Sequence, residues 1–253
     1  MIRRFLAAAA FLFLIPAGLH SAGVDVLLVG ADDEELKPVL AQMSGAAEQR
    51  IVSWTFWSGT LAGHPVVVLR AEGDPLNAVA GTTLGLRHFS PRLVVVFGSA
   101  RAHDPALAPG DLVVAREFAA FDGMISRVTP EDGGSDPTKW IALPHLLMEP
   151  GEKPVPQMRF PADNTALAVA SRLHPARGRT AAGVMGSAGQ VNREADRIAR
   201  LRALWGTSTE DAESAHVAGC ARLLGVPVAG WCVVDGTAGE AGALVVPFLK
   251  EWK

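Results

Sequence analysis

The sequence has 253 residues, 49% hydrophobic and 19% charged, a composition that can bury a large core and excludes a disordered polymer. With 23 basic and 26 acidic side chains the net charge is −3, so no basic excess exists to hold a phosphate backbone and nucleic acid is not expected as a partner. Two cysteines, Cys220 and Cys232, are too few for a disulfide scaffold, and no Cys or His spacing matches a zinc site; neither a metal nor a cofactor is expected.

The chain begins with an address. Arg3 and Arg4 precede an apolar stretch from Phe5 to about Leu19, interrupted by Pro16 and followed by Ser21, Ala22 and Gly23. That order of charged, apolar and small residues predicts a secretory signal peptide over residues 1–23, cut between Ser21 and Val24, and a periplasmic or secreted protein with no membrane attachment after cleavage. Pro16 shortens the apolar run below the roughly 20 residues of a spanning helix. Without its two arginines the mature chain carries −5.

Residues 24–253 read as one domain. Val24–Val29 is apolar apart from Asp25 and ends at Gly30-Ala31, after which Asp32-Asp33-Glu34-Glu35-Leu36 opens a helical pattern: a buried strand turning into a helix. Further strands are predicted at Leu61–Leu69, Leu93–Phe97, Leu112–Val114 and Val226–Val234. Helices are predicted at about Leu76–Phe89, Ala166–Leu173, Arg193–Leu204 and Ala212–Leu224. Strands alternating with helices give an α/β layered domain with a largely parallel sheet. Between Pro130 and Pro161 seven prolines fall in 32 residues, which forbids a regular central element and predicts a long ordered loop or flap. Trp54, Phe56 and Trp57 are either aromatic anchors of an interface or core residues, and both cysteines are expected as buried thiols.

In open α/β sheets ligands bind beyond the carboxyl ends of the strands, which directs attention to four places. The cluster Asp32–Glu35 follows the first strand; helix capping and dipole complementation account for it without any function. Gly98-Ser99-Ala100 follows Leu93–Phe97 and is also ordinary turn chemistry. Glu213 opens an otherwise apolar helix. Asp235 ends the strand Val226–Val234, either as a turn former or as a carboxyl whose poor hydration raises its pKa and fits it for general-acid work.

The order and spacing of these sites carry a resemblance. The run Val26–Leu40, then Asn77-Ala78, Phe89-Ser90-Pro91 through Gly98-Ser99-Ala100, Pro109-Gly110-Asp111, and Glu213-Ser214-Ala215 followed by Val226-Pro227, is similar to the purine nucleoside phosphorylase superfamily. Within it the chain most resembles the methylthioadenosine/adenosylhomocysteine nucleosidases. The resemblance implies a three-layer α/β fold with a central twisted mixed β-sheet flanked by helices, and a homo-oligomer, a dimer. It also implies hydrolysis of the N-glycosidic bond of a purine nucleoside, with a non-catalytic binding or storage relative, or a phosphorylase, as alternatives. By the same resemblance Glu35 activates water, Glu213 binds the ribose hydroxyls, Ser99 lies near the ribose, Gln190 stands beside the base and Asp235 protonates the leaving base.

Several residues depart from the pattern. Glu72-Gly73-Asp74-Pro75 stands in place of Gly-x-Gly-Lys, Val191 in place of phenylalanine, and Ala212 in place of methionine. Counted without gaps from Pro227, Asp235 falls on the family's serine and Gly236 on its aspartate. The last helix is expected short, over about Ala243–Trp252.

Overall fold

A computed structural model describes residues 23–125, 139–148, 153–237 and 239–253. The predicted signal peptide lies outside the described residues except for Gly23, and so does part of the proline-rich stretch.

The first strand, β1 (Val26–Gly30), is buried at every position, as expected of a strand covered on both faces. It turns directly into α1 (Asp33–Leu40), which Asp32 caps by accepting from the Glu35 N–H at 2.9 Å. Next come β2 (Ser44–Ile51), β3 (Trp54–Leu61) and β4 (His64–Arg70), an antiparallel meander whose last strand returns parallel to β1. Helix α2 (Pro75–Phe89) has Asp74 as its cap and Pro75 at its first position, where the missing N–H costs nothing. It leads to the ten-residue β5 (Leu93–Ala102).

The sheet splits along β5. Leu93–Val96 pair with β1, whereas Arg101 and Ala102 pair antiparallel with β13 (Thr209–Asp211). Strand β6 (Leu112–Ala120) is flanked by β12 (Thr180–Ser187) and, antiparallel, by β14 (Val228–Val234). Since β14 also lies parallel to β5 and β12 parallel to β13, five strands close into a ring: β5, β14, β6, β12, β13. Gly98 and Ser99 sit where β5 leaves β1 and enters this ring. A crevice opens wherever neighbouring strands part in this way, and ligands bind in such crevices.

Short strands fill the flap region: β7 (Met124–Ile125) pairs with β8 (Ile141–Ala142), and β9 (His145–Leu147) with β10 (Val155–Gln157). Strand β11 (Phe160–Pro161) adds to the edge at β6, a place where proline is tolerated. Helices α3 (Asn164–Ala170), α4 (Ala195–Trp205), α5 (Ser214–Leu223) and α6 (Val245–Glu251) cover the sheet, the last entered through a 3₁₀ turn at Gly242–Leu244.

The three-layer α/β expectation with a mixed sheet holds, but "largely parallel" needs correction. Four pairings to the ten-stranded sheet, β2–β3, β3–β4, β13–β5 and β14–β6, are antiparallel, as is the edge pairing of β11. The strands absent from the sequence reading have physical reasons for being hard to see. All but the last residue of β2 are exposed, and β12 is TAAGVMGS, with few large apolar side chains to signal a strand. Of the three aromatic residues, Phe56 is core; Trp54 packs on Gly81 and donates its indole N–H to the Asn77 carbonyl, and Trp57 donates to Glu48. Both cysteines are free and buried, and burial pushes the Cys232 thiol up to about 12.

Candidate functional site

At the split in the sheet lies a cavity of about 240 Å³, lined among others by Glu35, Gly73, Ser99, Asp211 and Glu213. Three sequence-predicted residues, Glu35, Ser99 and Glu213, therefore share one space. Each arrives on a different element: Glu35 in the first turn of α1, Ser99 on β5 and Glu213 at the start of α5.

Glu35 is only 8% exposed, yet both carboxylate oxygens have donors. Oε2 accepts from the Ala31 N–H at 2.8 Å and Oε1 from the Ser99 N–H at 3.1 Å. Gly98 is required here because a Cβ would stand 2.9 Å from Oε1. Burial pushes the Glu35 pKa above the usual carboxylate range, the two backbone N–H groups oppose that rise, and the charges of Asp32 and Asp211 add to it. The resulting group is a carboxylate held in place and made more basic than one in water.

Glu213 is 6% exposed and differs in one respect: its Oε2 has no hydrogen-bond partner. Burial, then the charges of Asp211, Glu35 and Asp32, raise its pKa to about 8, with only the Gly73 N–H opposing. At neutral pH this carboxyl holds its proton and faces the cavity able both to donate and to accept.

The surrounding residues explain the placement, and among them Asp211 and Arg70 were not singled out by the sequence. Asp211 accepts from the Glu213 and Ser214 N–H groups at 2.9 Å each, so it is the anchor of the α5 N-terminus; the buried Ser187 hydroxyl donates to it and accepts from the Ala215 N–H at 2.8 Å. An acid three residues before a helix start is the signal that could have found it. Arg70 donates to Asp33 at 2.8 Å and to Glu72 at 2.7 Å, tying the loop after β4 to α1. Asp74 is engaged as the α2 cap. The two carboxylates that stand at the two expected glycine positions are thus used structurally, leaving Gly73, at φ +59°, on the cavity wall.

Two predicted residues do not join this cavity. Asp235 is exposed, in the left-handed conformation at φ +42°, with its N–H bonded to the Ala100 carbonyl; it is not among the lining residues. The reason is register: Val233 and Val234 lie opposite Ser99 and Ala100, so the strand reaches Asp235 one step beyond the crevice. Gly236, which follows, has no side chain to offer. Gln190 lines a different cavity and accepts from Arg197 at 2.8 Å. Among the described residues no group of three or more His, Cys, Asp or Glu side chains could hold a metal ion.

A family model described as "Phosphorylase superfamily" matches residues 25–252. Among named relatives, the 5'-methylthioadenosine/S-adenosylhomocysteine nucleosidase of Marinomonas sp. is 38% identical over 95 residues, 38% of this chain and 41% of that protein. The nucleosidase of the same name from Shewanella sp. strain MR-7 is 32% identical over 133 residues, 52% of this chain and 56% of that protein. The alignments thus span about two fifths to a little over half of the relatives' length. The fold is that of the Neisseria meningitidis nucleosidase solved with methylthio-immucillin-A, at TM-score 0.72 and 20% identity over 89% of this chain and 98% of that one. It is equally that of the Colwellia psychrerythraea nucleosidase solved with adenine, at TM-score 0.73 and 20% identity over 93% and 98%.

Proposed function

The chain belongs to the phosphorylase superfamily, and on that premise we propose that it hydrolyses the N-glycosidic bond of a purine nucleoside of the methylthioadenosine or adenosylhomocysteine type. One observation carries the reading: two buried glutamates face one cavity, Glu35 with a backbone N–H on each carboxylate oxygen and Glu213 with Oε2 unpartnered and its pKa raised to about 8. Environments that separate two carboxyl pKa values assign a base and an acid to one site. Glu35, held by two N–H groups that favour its charged form, takes a proton from the water that attacks the anomeric carbon. Glu213 meets the sugar hydroxyls, and its hydrogen bonds strengthen as positive charge develops on the ribose. With Asp235 outside the cavity, Glu213 is the group there that carries a proton near neutral pH. Phosphate is a poor competitor for water, since the acidic side chains of Asp32, Glu35 and Asp211 line the space and like charge repels the anion.

The exposed position of Asp235 favours a second reading, a non-catalytic relative that binds a nucleoside without cleaving it. Incubation of the protein with methylthioadenosine, adenosylhomocysteine, adenosine and inosine, with and without phosphate, separates the two. Free base released without phosphate supports hydrolysis. Binding with no base released over hours supports the second reading, and release that requires phosphate overturns both. The proposal extends to location and assembly: export through the Arg3-Arg4 signal segment gives a protein starting between Ala22 and Asp25, and membership of the family suggests a dimer. N-terminal sequencing and light scattering check these; an intact Met1 or a monomeric mass at micromolar concentration is evidence against them.

A further inference from the structure

Of the loop between β4 and α2, Gly73 lines the Glu35 cavity. It is brought there by two successive left-handed residues, Glu72 at φ +62° and Gly73 at φ +59°. Glycine takes that conformation freely, but in Glu72 the Cβ crowds the following carbonyl, so the turn needs support from outside the loop. Two backbone bonds bring the loop alongside the β1 turn: the Ala71 N–H donates to the Gly30 carbonyl at 2.9 Å and the Glu72 N–H to the Ala31 carbonyl at 2.8 Å. Arg70, the last residue of β4, adds a side-chain clasp. Its Nε donates to Glu72 Oε1 at 2.7 Å and its Nη1 to Asp33 Oδ1 at 2.8 Å, so one planar guanidinium spans the loop and the first turn of α1.

Ion pairs this exposed add little to stability: the Asp33 side chain is 69% and that of Glu72 49% exposed. What the clasp controls is direction. The Gly73 N–H is the backbone donor that acts on the Glu213 carboxyl, against the charges of Asp211 at the end of β13 and of Glu35 and Asp32 at the α1 turn. An N–H that moves about 1 Å off a carboxylate no longer makes a hydrogen bond to it and no longer favours its charged form. We infer that Arg70 is a positioning residue for the cavity: by holding Glu72 in its left-handed turn against Asp33, it keeps the Gly73 N–H on Glu213. The residue type suits the role, since arginine sets two donor nitrogens at a fixed angle where lysine offers one point on a flexible stem. The consequence for base release rests on the hydrolysis proposed above; the placement of the Gly73 N–H does not.

The test follows the glutamate carboxyl carbons of ¹³C-labelled protein by NMR as pH is varied, with Glu213→Gln and Glu35→Gln identifying the two signals by their loss. Arg70→Lys, at a side chain 30% exposed, keeps the charge and gives up the fork. It is expected to move the Glu213 titration up by about one pH unit, the effect of losing one hydrogen bond to a charged group. Glu35, held by the Ala31 and Ser99 N–H groups, is expected to move less. In Glu72→Gly, where glycine takes the turn unaided, the further change Arg70→Lys is expected to leave the Glu213 titration where it is. An Arg70→Lys protein that titrates at Glu213 like the wild type overturns the inference, and so does an Arg70→Lys shift of equal size with and without the Glu72 side chain. The upper limb of the pH profile of base release should rise together with the Glu213 titration. A protein whose Glu213 titration moves as expected but which releases no base retains this inference and loses the proposed reaction; base release with an unmoved Glu213 titration does the reverse.

Discussion

The turn after β1 and the turn before α5 place the same residue type at nearly the same depth, yet they do different things to it. Glu35 is 8% and Glu213 6% exposed, so burial alone does not distinguish them. The difference lies in the donors. The β1–α1 turn aims the Ala31 N–H at Glu35 while β5 brings the Ser99 N–H from the other side. The β13–α5 turn spends its N–H groups on Asp211, two residues earlier, leaving Glu213 Oε2 without a partner. Burial raises both carboxyl pKa values, and the backbone N–H groups decide how strongly that rise is opposed at each.

The largest effect is expected from Glu35→Gln, which keeps the shape and one of the two backbone N–H contacts, the amide nitrogen being unable to accept the other, and removes the base. Release of purine base at pH 7 should fall about 10²- to 10⁴-fold; a fall of less than tenfold would remove Glu35 from the water-activating role and collapse the contrast between the two glutamates.

Glu213 sharpens the contrast through pH. A carboxyl whose folded pKa is raised to about 8 keeps a proton that the unfolded chain releases above about 4.5. Its contribution is therefore complete at low pH and declines as pH rises from 4.5 to 8, levelling beyond, by at most roughly 5 kcal/mol. Urea unfolding at several pH values should show this decline in the wild type and a smaller one in Glu213→Gln, where only the raised pKa of Glu35 remains. Base release should also fall above about pH 8, where Glu213 ionises beside Glu35. A wild-type stability that is flat between pH 5 and 8 would break the assignment.

A smaller effect is expected where α1 is held from behind. A Cβ on Gly242 would overlap the Glu35 carbonyl, and one on Gly239 would reach the ring of Pro38, so the C-terminal 3₁₀ turn fits against α1 only through glycines. Gly242→Ala should cost about 1–3 kcal/mol in chemical denaturation as the helix is pushed aside. If Glu35 is positioned by this contact, base release should drop as well, even at temperatures where the variant stays folded.

The smallest effect belongs to Asp235. Exposed and outside the cavity, Asp235→Asn should change base release by less than about twofold, since a surface group with no reacting partner contributes little. Asp235→Gly should even gain about 0.5 kcal/mol by relieving the left-handed backbone at φ +42°. Abolition of cleavage by Asp235→Asn would mean that a third carboxyl reaches the substrate, and the two-glutamate comparison would no longer describe the site.

Much of this molecule is legible along the chain because its signals are local. The continuous apolar runs of β1, β4, β5 and β14 announce buried strands, and Asp32 marks the helix start that it does cap. Glu35, Ser99 and Glu213 each follow or open such an element, so a reading of strand ends finds them. Three things depended on the tertiary structure. The ring of strands beyond Gly98 arises from antiparallel pairings of β13 and β14, which no periodicity encodes because either direction uses the same alternation of side chains. The register of β14 against β5 decided that Asp235 misses the crevice, a matter of one residue in a strand where each step moves the chain by about 3.3 Å and reverses the side chain. The different surroundings of Glu35 and Glu213 rest on N–H groups from residues as far apart in sequence as Glu35 and Ser99, and a carboxyl's pKa is set by everything packed within a few ångströms of it rather than by its neighbours in the chain.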